Sequence, residues 1–241
     1  MKTLILCEGT TDLILLQLLL QYRYDYRYHG YEEEKCTNRL VQRIVKKQNY
    51  FVEIQSCDGI NNIPYELSKV KDKMVYATQV DEIYDRVIVM IDHDTISSNG
   101  EFLNQINAEV GTSWSESDLS QWLEWEIANT FDESVKLQFY CESVPSERTG
   151  TIENVMLAAL NTDDIEDEII NKCTSLIQEI KDMQEKYIKN ESAKYKAVFN
   201  TYFAIRTPEE KYDERAKILK EYDWKDNSVL QDQFGFLDIL N

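Results

Sequence analysis

The stretch from Lys2 to Leu20, KTLILCEGTTDLILLQLLL, limits the fold more than any other part of the chain. Thr3 to Cys7 is too short for a helix and too uniformly apolar for a half-exposed strand. It therefore reads as a strand buried on both faces, the condition of a parallel sheet. Glu8 stands at its carboxyl end. Gly9 permits a tight turn, Thr10 or Thr11 can cap the first free N–H groups of a helix, and Asp12 falls in that helix's first turn. Thr11 to Gln21 is apolar nearly all round, so this helix should be deeply buried.

The same pattern recurs three times. Phe51 to Cys57 (FVEIQSC) runs into Asp58-Gly59, Arg86 to Ile91 (RVIVMI) into Asp92-His93-Asp94, and Val135 to Cys141 (VKLQFYC) into Glu142. In an open parallel α/β sheet the ligand site lies outside the carboxyl ends of the strands, so these acids should line one edge. Gathered carboxylates repel unless a cation joins them, and an oxygen-rich site suits magnesium, with manganese as the alternative. Any one of these acids is explained as a helix cap; Asp92 and Asp94 together with Glu8 carry the metal reading. His93 should point to the opposite side of the strand, because strand neighbours alternate.

An apolar strand closing on Glu8-Gly9, Asp12 at the head of an apolar helix, and a later strand closing on Asp92-x-Asp94 resemble a Toprim domain. That module is the catalytic part of topoisomerases, bacterial primases, recombination proteins and the overcoming-lysogenization-defect (OLD) nucleases. The resemblance covers residues 1 to about 145. Beyond it, Gly150-x-x-Glu153 and Lys194 to Phe203 (KYKAVFNTYF) are similar to an uncharacterised bacterial family of small stand-alone Toprim proteins. The resemblance implies Glu8, Asp92 and Asp94 as catalytic residues: Asp92 and Asp94 holding metal, Glu8 a further ligand or the general acid/base. It leaves Asp12 for a second metal site and Glu153 as a further ligand.

The fold expected is α/β: a mostly parallel four-stranded Toprim-like sheet flanked by helices over residues 1–145, with a helical C-terminal region, 146–241, packed on it. Helices are expected over Cys36 to Tyr50, Pro64 to about Tyr76, Glu101 to Glu109 and Ser117 to Thr130, the last with Trp125 partly exposed. Val144 to Thr151 marks the boundary, and Glu153 opens the next helix. Ile165, Ile169, Cys173, Leu176, Ile180, Met183 and Tyr187 recur at spacings of three and four, which predicts a long amphipathic helix. Thr207-Pro208 starts another, and Gln233 to Leu240 is apolar enough to dock back on the body.

Charge bears on partners. The formal net charge of −18 argues against a protein that coats nucleic acid, because phosphate binding depends on clustered Lys and Arg. Residues 21–50 are the exception, with a local balance of +3. There Tyr22, Arg23, Tyr24, Tyr26 and Arg27 interleave aromatics with positive charge, as in single-strand binders, and Arg39, Arg43, Lys46 and Lys47 follow. A tyrosine-rich helix exit and a solvated helix face explain the same residues. The five cysteines form no CxxC or Cys/His cluster, so neither zinc nor a disulfide framework is indicated. No apolar span reaches eighteen residues, so a cytoplasmic protein without a membrane partner is expected. The leading reading is magnesium-dependent phosphodiester chemistry on DNA or RNA, a nuclease of OLD type. The alternative is a non-catalytic or partner-dependent module that binds nucleotide or a protein partner.

Overall fold

The computed structural model describes residues 1–32, 41–79, 82–93, 98–131, 133–146, 148–208, 219–220 and 222–241, which fall into two compact units. The first comprises Met1–Ile91, Ser97–Ser143 and Leu240–Asn241, and the second Asp92–Ile96 and Val144–Ile239.

The first unit is built on a sheet of seven strands: β1 (Lys2–Cys7), β2 (Arg27–Glu32), β3 (Val41–Lys47), β4 (Tyr50–Ser56), β5 (Arg86–Asp92), β6 (Leu123–Ala128) and β7 (Ser134–Val144). Their order is β2-β3-β4-β1-β5-β7-β6. The four strands expected from the acid-closed pattern, β4, β1, β5 and β7, lie side by side at its centre. β1 pairs in parallel with β4 (Ile5 opposite Ile54) and with β5 (Ile5 opposite Ile88). The bonds from Gln138 N–H to Asp85 O and from His93 N–H to Val144 O climb β5 and β7 together, the sense of a parallel pair.

The sheet is nevertheless mixed, not four-stranded and parallel, because three further strands add antiparallel edges. Two of them replace expected helices. Within Cys36 to Tyr50 the described part, Val41–Lys47, is β3; within Ser117 to Thr130 only residues 116–118 form a helical turn, and Leu123–Ala128 is β6. In β6 the residues alternate strictly, with Trp125 and Ile127 buried and Glu124, Glu126 and Ala128 exposed. That is a period of two, and it overrides the looser three-and-four spacing of Leu119, Trp122, Leu123 and Ile127. Trp125 is 2% exposed, against the expectation of a partly exposed ring.

Helices α1 (Thr10–Tyr22), α2 (Ile63–Tyr76) and α3 (Ser98–Val110) complete this unit. One core joins Leu4 and Leu6 of β1, Val87 and Val89 of β5 and Phe139 of β7 to Leu67 of α2 and Ile106 of α3. Each such side chain contributes ~1.5–3 kcal/mol on burial. Trp114 stacks on Phe139 at 4.2 Å, and Trp125 meets both edge-on. α1 packs along β3 and β4, and its Leu13, Leu16 and Leu20 are fully buried. Tyr26 donates its hydroxyl to Leu240 O (2.8 Å), tying the last residues of the chain to this unit.

The second unit is helical: α4 (Ile152–Leu160), α5 (Asp164–Met183), α6 (Glu191–Arg206) and α7 (Ser228–Phe234), with 3-10 turns at Glu185–Tyr187 and Gly235–Leu240. Most of the helix expected after Thr207-Pro208 lies outside the described residues. Among those described, no helix is long and apolar enough to cross a membrane.

Candidate functional site

Parallel pairing brings β1, β4 and β5 to an end at the same edge of the sheet, and an acid follows or closes each. Cys7 lies opposite Ser56 on one side and Met90 on the other. The turns after β1 and β4 are stitched together: Cys57 N–H donates to Cys7 O (2.9 Å) and Gly59 N–H to Glu8 O (2.8 Å). Gly59 holds φ +114°, a conformation that L side chains rarely adopt, which is why glycine follows the acid there. Asp58 beside it is exposed and also has a positive φ.

Glu8 is half-buried. Its charge, with that of Glu66, adds to burial in pushing the Cys57 thiol well above the usual range, so this cysteine is a packed, protonated group rather than a nucleophile. Asp12 is 6% exposed, and its Oδ2 accepts the Gly9 N–H at 2.8 Å. The structure thus commits one of its oxygens to closing the first turn of α1.

In the second unit Asp92, 5% exposed, lies at the start of α4: its Oδ1 accepts the Ile152 N–H (3.1 Å) and its Oδ2 stands 3.3 Å from Lys196 Nζ. A carboxylate suits the positive end of a helix. Lys196 comes from α6, about a hundred residues away in sequence, and sequence reasoning missed it. It stood inside the KYKAVFNTYF segment, where only the apolar face was read. His93 is pinned by backbone bonds to Val144 O and from Gly150 N–H, and its Nδ1 lies 3.1 Å from Pro145 O.

Thr151 occupies the N-cap position of α4, and Glu153 its first turn. Gly150 precedes them because a Cβ there would collide with the Asn154 side chain. Glu153 is 5% exposed and Thr151 fully buried, yet among the described residues Glu153 Oε2 and Thr151 Oγ1 have no hydrogen-bond partner. A buried carboxylate oxygen without a donor is costly, and such atoms call for an explanation. Among the described residues no three His, Cys, Asp or Glu side chains converge as a metal-binding group; Asp94 lies outside those residues.

Glu142, expected to follow β7, lies inside it, since the strand runs on to Val144, and forms a separate network in the first unit. It accepts the Tyr140 hydroxyl at 2.8 Å and the Ser120 hydroxyl at 2.9 Å, and burial raises its pKa against the lowering effect of those donors.

The residues expected to meet nucleic acid are dispersed. Tyr24 and Tyr26 are 2% and 3% exposed, so neither ring offers a face to a base, which corrects the expectation of stacking there. Tyr22 ends α1, and Arg23 lies 5.5 Å from the Tyr24 ring centre. Arg43 donates to Gln17 Oε1, Lys46 sits over Phe51, and Lys47 bonds Asn241 Oδ1 at 2.8 Å. Arg27 is exposed at the start of β2, and Arg39 lies outside the described residues.

No curated protein matches the chain at a significant level. Among solved structures, it is similar to the crystal structure of a hypothetical protein from Pyrococcus horikoshii OT3, with a TM-score of 0.54 and 16% sequence identity over 99% of this chain and 97% of that one. At that identity the likeness speaks to the fold. A family described as a protein of unknown function, DUF3226, matches residues 2–240, and the chain belongs to that family.

Proposed function

We propose that the protein carries out magnesium-dependent phosphodiester chemistry on nucleic acid, as a nuclease resembling the Toprim module of the OLD type. The observation that carries the reading is the buried Glu153 Oε2, without a hydrogen-bond partner among the described residues, in the turn whose preceding N–H group, that of Ile152, binds Asp92. Hard oxygen donors held out of water in this way fit a hard divalent cation. When bound, magnesium would neutralise phosphate and stabilise the attacking or leaving oxygen. Asp92, Asp94 and Glu153 are the proposed holders of the ion, with Glu8 a further ligand or the group that moves a proton, and Asp12 in a supporting place. Lys196 gains a role that sequence did not suggest: it balances the charge of Asp92 and offers a cation to a phosphate oxygen.

A second reading is a non-catalytic module that binds nucleotide or a partner protein. It is favoured by Asp92 itself, whose two oxygens already meet an N–H and an ammonium, as in a structural ion pair. Incubating the protein with single-stranded DNA, duplex DNA and RNA, with magnesium, manganese or a chelator, decides between them. Metal-dependent cleavage that Glu8→Gln removes supports the nuclease; substrate intact under every condition favours the binding module.

A further inference from the structure

At the opposite ends of the central strands the first unit carries a cleft of about 790 Å³, lined by Lys2, His29, Phe51, Glu53, Lys73 and Asp85 among others. Its volume falls within the ~300–1,000 Å³ range of small-molecule sites. Lys2 opens β1, Phe51 stands beside it in β4, and Asp85 precedes β5, so this cleft is remote from the acids that follow these strands.

The cleft is organised by Tyr84. This residue is 3% exposed, donates its hydroxyl to Glu53 Oε2 at 2.9 Å, and has the ammonium groups of Lys2 and Lys73 at 4.6 and 4.8 Å from its ring centre. Two like charges are thus gathered round one neutral phenol. Glu53 answers the first: it lies 3.9 Å from Lys2 Nζ and also accepts from Gln42 Nε2. Asp85 accepts the backbone N–H of Lys2 at 2.6 Å. Lys73 has a long bond to the Tyr84 hydroxyl, 3.4 Å, and no carboxylate within ion-pair distance among the described residues. Beside these cations lies an aromatic wall. Lys46 Nζ sits 4.6 Å from the Phe51 ring centre, and His29 meets that ring edge-on at 6.5 Å.

Lys73, with no carboxylate within ion-pair distance among the described residues, leaves a place for an anion beside it, and an adjacent pair of rings, one phenyl and one imidazole, leaves a place for a planar group. We propose that this cleft binds an aromatic organic anion of mononucleotide size, its phosphate held by Lys73 and Lys2 and its ring laid against Phe51 and His29. In a chain of net charge −18, such a site is selective, because the surrounding field opposes larger polyanions.

AMP titrated into the full chain in magnesium-free buffer, followed by calorimetry, is the test. AMP binds at one site, while adenosine and inorganic phosphate each bind at least tenfold more weakly. Lys73 and Phe51 are exposed positions, so Lys73→Gln and Phe51→Leu fold, and each weakens AMP binding at least fivefold with the thermal midpoint unchanged. Glu8→Gln leaves the affinity as it is. Four results overturn the proposal: no heat at millimolar AMP, phosphate alone binding as tightly as AMP, equal affinity in Lys73→Gln, or affinity lost in Glu8→Gln, which would put the ligand at the strand-end acids.

Discussion

Replacing Lys196 by Met removes the ammonium that faces Asp92 and keeps most of the side chain's volume. Two unit charges 3.3 Å apart attract by ~5 kcal/mol at an effective dielectric constant of about 20. Most of that is offset, since Asp92 gives up water to lie 5% exposed while the Lys196 side chain remains 47% exposed and screened. The Ile152 N–H stays on Oδ1 in the variant, so the carboxylate is weakened in its support rather than abandoned. The net loss expected is ~1–2 kcal/mol, which for a chain of this length lowers the thermal midpoint by ~2–8 °C. Urea unfolding of the wild type, Lys196→Met, Asp92→Asn and the double variant at neutral pH gives the coupling energy directly. A coupling above ~1 kcal/mol is the predicted result. Additive single losses, with a coupling under ~0.3 kcal/mol, would refute the pair and with it the placing of α6 against Asp92.

Three further predictions test other parts of the structure. Burial holds the Glu142 pKa above its ordinary value in the folded protein, so the native state binds the proton more tightly than the unfolded chain; its contribution therefore favours folding at acid pH and declines as pH rises from the unfolded pKa through the raised folded one. Glu142→Gln should flatten that part of the stability profile measured by urea unfolding from pH 4 upward, and parallel profiles would contradict the assignment. Trp125→Ala should cost ~3–5 kcal/mol and Glu126→Ala under ~0.5, the alternation of a strand; comparable losses at the two sites would restore the helical reading of this segment. Tyr26→Phe should cost ~1 kcal/mol through the lost bond to Leu240 O, and a thermal midpoint equal to wild type would argue that the C-terminal residues are not held there.

What could be read from sequence follows from how local each signal was. β1, β4, β5 and β7 announced themselves because a strand buried on both faces is a short apolar run with an acid at or near its carboxyl end, although β7 runs on through Glu142 to Val144. α1 to α3 start and end near the expected residues because Asp12, Pro64 and the apolar spacing act within one or two turns. Edge strands are harder: β3 reads VQRIVKK, where Ile44 and Val45 also fit a helix face, and its identity comes from pairing with β2 and β4 rather than from its own residues. Tyr24 and Tyr26 looked like a binding surface because an interleaved Tyr/Arg composition does not reveal which rings are covered. The pairing of Asp92 with Lys196, across about a hundred residues, and the Glu153 oxygen without a partner among the described residues are properties of the folded chain, with no local signal to find them by.

The most direct test of the account is metal-dependent cleavage. Purified protein is given single-stranded DNA, duplex DNA and RNA, in magnesium, in manganese and in chelator, beside Glu8→Gln and Asp92→Asn variants whose folding is checked by circular dichroism. The account predicts cleavage of at least one substrate with metal, none in chelator, and a loss of at least a hundredfold, ~2.7 kcal/mol, in each folded variant. Substrates that stay intact with either metal, or cleavage that survives in both variants, would contradict it.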